Sequence, residues 1–424
     1  MNTFLKRLLE AERVDLAGAL AGAGPDVPAA LLLLAGLTPE KCPLTEHVQA
    51  AMDALLADAP PEAAPPEADA ESALSPWWTA MPAAYVAAAF RHVGLAEVCT
   101  PGAPSARLSR PHARESVRAM REVLRGGGVP FTVREHAASL ILGAGRIARP
   151  GARADETCRK LSCRADLRAL YHLERAELCA LGRGPHEAPM QRLEAFRERA
   201  ERCGVFGEPC APPLSAAEVR AAGFEDPVQR HRVLNALRYF GLVARVDEHD
   251  WFVERLQEEP VVPGGRLHLL IGPAGCGKST WARLHRPEVE VVSTDRMREV
   301  LTGDPSDQSQ NYLVFQRCMD RLRALLGEGR DVVFDATNYC EAVRALPVQA
   351  GRWSGAEISS HLFDVGLAES LRRNLLRPRT VPEDVIRKQY RLLQAPALYE
   401  ADRQYIVDPD GRLAQYWPLP EDGQ

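Results

Sequence analysis

The sequence predicts a multidomain protein in which an all-α region precedes an α/β domain with a parallel sheet. Helical periodicity without β-branched runs dominates residues 77–256, and short apolar strands alternate with helices from residue 260 onward. A stretch rich in proline, alanine and glutamate separates the first helical residues from the rest. At 424 residues the chain is long enough for two or three separate cores.

The predicted organisation has four parts. Residues 1–58 form a helical segment rich in alanine and leucine, and residues 59–76 have too little apolar surface to fold and form a linker. Residues 77–259 form the all-α domain, and residues 260–424 form the α/β domain. The boundary between these two is marked by the proline and glycine residues of 260–265.

Composition limits the functional classes. The formal net charge of -5 argues against a globally basic nucleic-acid binder, although a local basic groove remains open. No apolar run is long enough to span a bilayer, and the amino terminus lacks a cleavage-type signal. We therefore predict a cytoplasmic protein with no membrane partner.

The all-α domain contains helices with one apolar face, as in residues 116–124 and 161–181. It also contains a group of cysteines near His172 and His186. The cysteines are Cys158, Cys163, Cys179, Cys203 and Cys210. Their spacing matches no usual zinc pattern, so free thiols in a reducing compartment are the favoured interpretation and a zinc site is the alternative.

The α/β domain is predicted from alternating elements. Its strands are expected at 267–271, 289–293, 331–335, 358–364 and 404–407. Its helices are expected at 278–284, 296–301, 309–326, 341–350, 367–376 and 382–393. Such βαβ units give a parallel sheet that binds ligands at the carboxyl ends of its strands.

The first of these strands leads into a glycine-rich turn that fits G-x-x-x-x-G-K-[ST] at every fixed position. Such a loop holds nucleotide phosphates with its backbone amides and with a helix N-terminus. The candidate ATP-binding residues in it are Gly272, Gly275, Cys276, Gly277, Lys278, Ser279 and Thr280. Lys278 would reach the β- and γ-phosphates, and the Ser279 hydroxyl would bind Mg²⁺. The alternative, a chance turn, is disfavoured by the flanking strand and helix.

Two acids follow later strands. Asp295 opens a helix beside the loop and could accept the proton of an attacking hydroxyl, or it could only cap that helix. Arg298 lies on the same helical face and could bind an anionic acceptor, unless it is an ordinary surface arginine. Asp335 ends the third strand and is followed by Ala336. The missing glutamate after Asp335, and the lack of an N-K-x-D motif, favour a kinase over a motor ATPase or a GTPase.

A basic segment follows between the last two helices. Arg377 and Arg379 flank a proline there, which suits a lid that closes on the transferring phosphate. The alternative is an exposed charged helix face.

These motifs together resemble the kinase module of polynucleotide 5′-kinases over about 267–407. They are LLIGPAGCGKSTWAR, STDRMREVLTGDPSDQSQNYLVF, DVVFDATN and RRNLLRPRTVPEDVI. The resemblance implies that Lys278 and Ser279 bind ATP and Mg²⁺, and that Asp335 lies near the donor site as a second Mg²⁺ ligand. It also implies that Asp295 is the general base on the 5′-hydroxyl, that Arg298 binds the acceptor's 3′-phosphate, and that Arg377 is the lid arginine.

The all-α domain has a fainter resemblance to HD-type phosphohydrolases, which precede such a kinase in bacterial HD-domain polynucleotide kinases. His92, His112 and Glu177 match family positions for metal ligands. Val93 stands where the family has its aspartate, Glu177 replaces another aspartate, and residues 142–145 offer no histidine. We therefore expect a metal-free scaffold.

The sequence thus predicts an ATP- and Mg²⁺-dependent polynucleotide 5′-hydroxyl kinase that acts on RNA or DNA ends in end repair. An RNA ligase or another end-repair protein is the expected partner. Three alternatives stay open: a small alcohol or a nucleoside as acceptor, a nucleotide-gated binding module without turnover, and a helical domain that retains phosphohydrolase activity.

Overall fold

The computed structural model describes residue 6 and residues 44–57, 80–94, 110–144, 147, 154–246, 249–258, 264–304 and 307–417. The chain divides into two compact units, Met1–Cys210 and Ala211–Gln424. The predicted linker at 59–76 lies outside the described residues. Within the described part of the chain, no helix combines the length and the apolar character that a membrane crossing requires.

The described part of the first unit is helical, as the sequence predicts. Its helices are α1 (Leu44–Ala57), α2 (Ala80–Phe90), α3 (Arg110–Gly126), α4 (Phe131–Gly143), α5 (Ala154–Ser162), α6 (Leu167–Ala180) and α7 (Ala188–Arg202). Asp166 begins α6 by accepting hydrogen bonds from two backbone amides of the first turn. Helix α6 packs against α1, α2 and α7. Helix α1, from the segment that the sequence suggests is separate, is therefore part of this helical core.

The second unit begins with helices rather than with the sheet. They are α8 (Ala216–Ala221), α9 (Pro227–Tyr239), a π-helical turn (Phe240–Ala244) and α10 (His249–Glu258). The Phe240 ring lies 4.9 Å from the ring of Trp353, and Asn235 Nδ2 donates to the Ala401 carbonyl at 3.5 Å. These helices thus pack on the α/β part, whereas the sequence-based boundary at 259/260 assigns them to the all-α domain. Helical periodicity reveals an apolar face but not the core that the face joins.

The α/β part is a six-stranded sheet in the order β2-β3-β1-β4-β5-β6. The strands are β1 (Gly264–Ile271), β2 (Glu290–Ser293), β3 (Val332–Asp335), β4 (Ala356–Phe363), β5 (Arg403–Val407) and β6 (Leu413–Trp417). Strands β1 to β5 pair in parallel, as predicted, and β6 pairs with β5 in antiparallel orientation. Strand β6 was not predicted. It follows a tight turn at 408–412 in which Gly411 has φ +87°.

The helices between these strands agree with the prediction. They are α11 (Lys278–His285), α12 (Thr294–Thr302), α13 (Asn311–Gly327), α14 (Glu341–Trp353), α15 (Leu367–Leu375) and α16 (Glu383–Leu392). The parallel strands place the residues that follow β1, β2 and β3 at one edge of the sheet. That edge holds the candidate site.

Candidate functional site

The phosphate loop joins β1 to the N-terminus of α11 and needs its glycines for conformation and for space. Gly275 and Gly277 have φ angles of +83° and +105°, which residues with a side chain rarely adopt. A Cβ atom on Gly275 would also lie 2.3 Å from the carbonyl oxygen of Ser370. The loop therefore cannot accept a side chain there without moving helix α15.

Lys278 and Ser279 begin α11 at the end of this loop. The Lys278 Nζ atom donates to the carbonyl oxygens of Gly272 and Pro273, both at 2.8 Å, so the buried amine lies over the loop. The Ser279 hydroxyl donates to Asp335 Oδ2 at 2.6 Å. A hydroxyl and a carboxylate oxygen at this distance suit Mg²⁺, which prefers oxygen ligands. The two predicted metal residues therefore lie together.

Asp335 ends β3 and is 8% exposed. Burial raises the pKa of its carboxyl group, and the charge of Lys278 with the hydrogen bond from Ser279 partly offsets that rise. The charge of Asp295 raises this pKa further, and the charge of Arg377 lowers it. Four of the predicted site residues are thus close enough to Asp335 to act on its ionisation.

Asp295 lies in the first turn of α12, but it does not cap the helix. The N-cap is Ser293, whose hydroxyl accepts from the Arg296 amide at 3.5 Å. Asp295 Oδ1 instead accepts from Arg298 Nη1 at 2.8 Å, and the aspartate side chain remains 57% exposed. Arg298 also donates to Asn311 Oδ1 at 3.2 Å. Asp295 is thus not the cap of this helix, and Arg298 is not an isolated surface arginine.

The two arginines that the sequence predicts to belong to a lid lie in the segment between α15 and α16. Arg377 is exposed, and Arg379 is half-buried. Arg373, which sequence reasoning did not single out, contacts the loop directly, since its Nη1 donates to the Cys276 carbonyl at 3.3 Å. The thiol of Cys276 is buried, and burial raises its pKa. Thr280 is exposed at the start of α11.

A second cluster of ionisable groups lies in the first unit. Glu177 accepts from His47 Nε2 at 2.8 Å and from His92 Nε2 at 2.9 Å, and all three residues are buried. Burial alone would raise the pKa of Glu177. Electrostatic interactions with His92 and Arg91, together with the two histidine hydrogen bonds, outweigh burial and hold this pKa well below its usual range.

The same cluster could accept a metal ion. One potential ligand atom from each of His47, His92 and Glu177 lies within 4.8 Å of the others. The His112 ring stacks on His92 at 5.8 Å, and burial lowers the His112 pKa to about 3. Val93, where the resemblance to HD-type phosphohydrolases leads one to expect an aspartate, is a buried apolar residue and offers no ligand. Sequence reasoning missed His47, which lies in the segment it treated as separate.

The cysteines do not form such a group. Those at positions 158, 163, 179, 203 and 210 are free thiols. Among the residues that the structure describes, His47, His92 and Glu177 are the only group of three or more histidine, cysteine or acidic side chains that brings ligand atoms within 4.8 Å of one another.

Comparison with known proteins gives one family match and similar solved structures. No curated protein matches the chain. The chain is similar to a gluconokinase from Sinorhizobium meliloti 1021, with 16% identity, a TM-score of 0.26, and coverage of 34% of this chain and 82% of that one. Residues 267–396 match the family model described as an AAA domain. This match spans the phosphate loop, Asp295, Asp335 and the predicted lid residues Arg377 and Arg379, and the chain therefore contains a P-loop domain.

Proposed function

We propose that the chain is an ATP- and Mg²⁺-dependent kinase that transfers the γ-phosphate to the 5′-hydroxyl ends of RNA or DNA. The observation that carries this proposal is the convergence on Asp335. Lys278, Asp295 and Arg377 all act on its pKa, and Ser279 donates a hydrogen bond to it. A donor-phosphate cradle, an acid beside it and a lid cation are the parts that phosphoryl transfer to an alcohol needs.

In this reaction each residue of the candidate site has a separate role. Lys278 binds the β- and γ-phosphates, and Arg377 with Arg379 stabilises the charge that spreads over the transferring group. Asp295 accepts the proton of the 5′-hydroxyl as its oxygen attacks the γ-phosphorus and the bond to the ADP oxygen breaks. Ser279 and Asp335 would hold Mg²⁺, which when bound neutralises charge on the β- and γ-phosphate oxygens.

Arg298 is the residue that would recognise the acceptor. Arg298 is 9% exposed, and its guanidinium is oriented by Asp295 and Asn311. A planar guanidinium binds phosphate oxygens through two parallel hydrogen bonds, so a phosphate next to the reacting hydroxyl would bind here. A polynucleotide 5′ end supplies that arrangement, and this favours the polymer over a nucleoside. A ligase or another end-repair protein would then use the 5′-phosphate product.

The test is γ-phosphate transfer from ATP to 5′-hydroxyl RNA and DNA oligonucleotides. We expect Asp295→Asn to lower kcat by about 10²–10⁴-fold, the usual contribution of a general base. Asp320→Asn is the matched control, because Asp320 is also an exposed helical aspartate that pairs with an arginine three residues on. No transfer by a well-folded wild type would sink the proposal.

Two alternatives give different results in the same assay. A small-alcohol or nucleoside kinase would prefer nucleosides in competition with oligonucleotides and would show a Michaelis constant that is insensitive to salt. A nucleotide-gated binding module would bind ATP tightly, unaffected by Asp295→Asn, and would turn over no acceptor.

A second candidate activity is binding of one divalent transition-metal ion in the first unit. The convergence of His47, His92 and Glu177 favours it over the metal-free scaffold expected from the sequence. Two imidazole nitrogens and a carboxylate are a ligand set that suits zinc and related ions. The Nε2 atom of buried His112 has no hydrogen-bond partner among the described residues, and this offers a further nitrogen nearby.

Metal analysis of the full chain after equilibration with Zn²⁺ or Mn²⁺ tests this candidate. We expect about one bound ion per chain, lost in His92→Ala and kept in His186→Ala, because His186 is an exposed histidine of the same unit. Metal-dependent phosphate release that His112→Ala abolishes would add the phosphohydrolase activity. No bound ion in the wild type would leave the metal-free scaffold as the correct interpretation.

A further inference from the structure

The two helices that flank the lid segment contact the phosphate loop itself. The carbonyl of Ser370 on α15 lies against Gly275, where an added Cβ atom would be 2.3 Å from it. The Ala274 amide of the loop donates to Gln389 Oε1 on α16 at 2.8 Å. These contacts hold α15 and α16 next to the phosphate loop. They do not involve the segment between the two helices, which therefore needs contacts of its own.

Asn374 closes that segment. Its Nδ2 donates to the Val381 carbonyl at 2.8 Å, and its Oδ1 accepts from the Val381 amide at 2.9 Å. The Asn374 carbonyl also accepts from the Arg377 amide at 3.2 Å. One side chain thus brackets residues 375–380, which contain both lid arginines.

The burial pattern indicates that this bracket is important for the segment. Asn374 is only 4% exposed, and its Cβ atom lies 3.5 Å from the Cβ position of Gly275. In contrast, Leu375 and Leu376 within the bracket are 75% and 74% exposed. Apolar packing therefore contributes little to holding these residues in place, and the two partly buried hydrogen bonds of Asn374 contribute more.

The chemistry of the bracket is specific to a carboxamide. Binding both groups of one peptide unit requires a donor and an acceptor on the same planar side chain, which asparagine has and ionised aspartate lacks. Aspartate at this position would also face the Val381 carbonyl with a negative charge. A change as small as Asn374→Asp should therefore open the bracket without a change in side-chain size.

We propose that Asn374 is a positioning residue that holds Arg377 and Arg379 over the donor phosphates. The proposal rests on the kinase function above, because the two arginines have a transferring phosphate to act on only if the chain is a kinase. Its consequence is a dependence between residues: the loss of Asn374 acts through Arg377 and adds little once Arg377 is absent.

The first test compares turnover in Asn374→Ala, Arg377→Ala and the double variant. We expect Asn374→Ala to lower kcat by about 10²-fold, the usual cost of misplacing a catalytic group by about 1 Å. We expect the double variant to be no slower than Arg377→Ala by more than a factor of about 3, because residues that act as a unit are not additive. Losses that multiply in the double variant, or an unchanged kcat in Asn374→Ala, would overturn the proposal.

A second test does not need an acceptor. Amide hydrogen exchange across residues 375–381 should quicken in Asn374→Ala and in Asn374→Asp, while the loop at 272–279 keeps its wild-type exchange. Leu376→Ala is the matched control, since it removes an exposed side chain of the same segment. Wild-type exchange in both Asn374 variants would overturn the bracket. If the alanine variant fails to fold, the aspartate variant decides the outcome.

The two tests separate this inference from the proposed function. A wild type that transfers no phosphate to any acceptor, together with faster exchange in both variants, would remove the kinase function and the positioning role while leaving the bracket as structure. A wild type that transfers phosphate, with unchanged exchange and unchanged kcat in the variants, would keep the kinase and remove Asn374 from it.

Discussion

Replacing Arg344 by methionine should strongly destabilise the second unit. Arg344 is fully buried on α14, and its guanidinium forms two hydrogen bonds to Glu400, at 2.9 and 3.0 Å. It also donates to the carbonyls of Asn338 and Gln394, at 2.9 and 3.0 Å. Asn338 has φ +47° three residues beyond Asp335, so the arginine also stabilises the turn that follows β3.

The magnitude follows from what the substitution leaves behind. Glu400 is 2% exposed, and without Arg344 its charge stays buried and uncompensated. Removing one partner of a buried ion pair costs about 3–5 kcal/mol. The double variant Arg344→Met with Glu400→Gln removes the uncompensated charge of Glu400 and keeps an acceptor oxygen at that position. The double variant should therefore recover at least about 2 kcal/mol relative to the sum of the single losses.

The assay is urea unfolding of the full chain, with amide exchange of β3 and β4 reporting on the second unit. Arg330→Met is the matched control, because Arg330 pairs with Glu290 at 2.9 Å on the surface. An exposed pair of this kind contributes about 0–1 kcal/mol. A loss below about 1 kcal/mol in Arg344→Met, or single losses that simply add in the double variant, would refute the reasoning.

Three further predictions concern the site and the pH response. Gly275→Ala should abolish measurable nucleotide binding, because the methyl group meets a backbone oxygen and a positive φ, whereas Gly303→Ala has a similar φ but free space and should bind as wild type. Ser279→Ala removes the hydroxyl beside Asp335 and should raise the Mg²⁺ concentration needed for half-maximal turnover by about 10-fold or more. Burial lowers the pKa of His268 to about 4, so the native state keeps this residue neutral. As the pH falls from about 6.5 towards 4, the unfolded chain takes up a proton at His268 that the native state does not, so stability should fall by up to about 3 kcal/mol. His268→Asn should lessen this dependence in urea unfolding, and the part that remains belongs to groups such as the neighbouring His361, whose pKa is also lowered.

Specific results would contradict these expectations. Equal nucleotide affinities for the alanine variants of Gly275 and Gly303 would show that the close contact at the loop does not limit substitution. An unchanged Mg²⁺ requirement in Ser279→Ala would remove that hydroxyl from the metal site. Identical pH profiles for wild type and His268→Asn would mean that His268 takes up its proton equally in the folded and unfolded states.

The sequence alone was sufficient for the α/β architecture and for the phosphate loop, Asp295 and Asp335 of the candidate site. Strands β1 to β5 and the helices between them are encoded by local apolar periodicity and by glycine and proline signals, which a single sequence displays directly. The phosphate loop was equally clear, because its glycines, lysine and serine form a continuous motif between a strand and a helix, and a single sequence displays such a motif directly. Asp295 and Asp335 could be placed because residues that end parallel strands share one edge of the sheet.

Tertiary structure decided what depends on contacts between distant parts of the chain. His47 and Glu177 meet across 130 positions, and no local pattern in either segment predicts that contact. The same holds for the helices of 216–258, whose apolar faces fit either core in the sequence but pack in the second unit. In the sequence, Asn374 is one polar residue among several in a basic segment. Only the folded chain brings its carboxamide to the Val381 peptide group and its Cβ atom to the phosphate loop, because both contacts depend on how the chain folds back on itself.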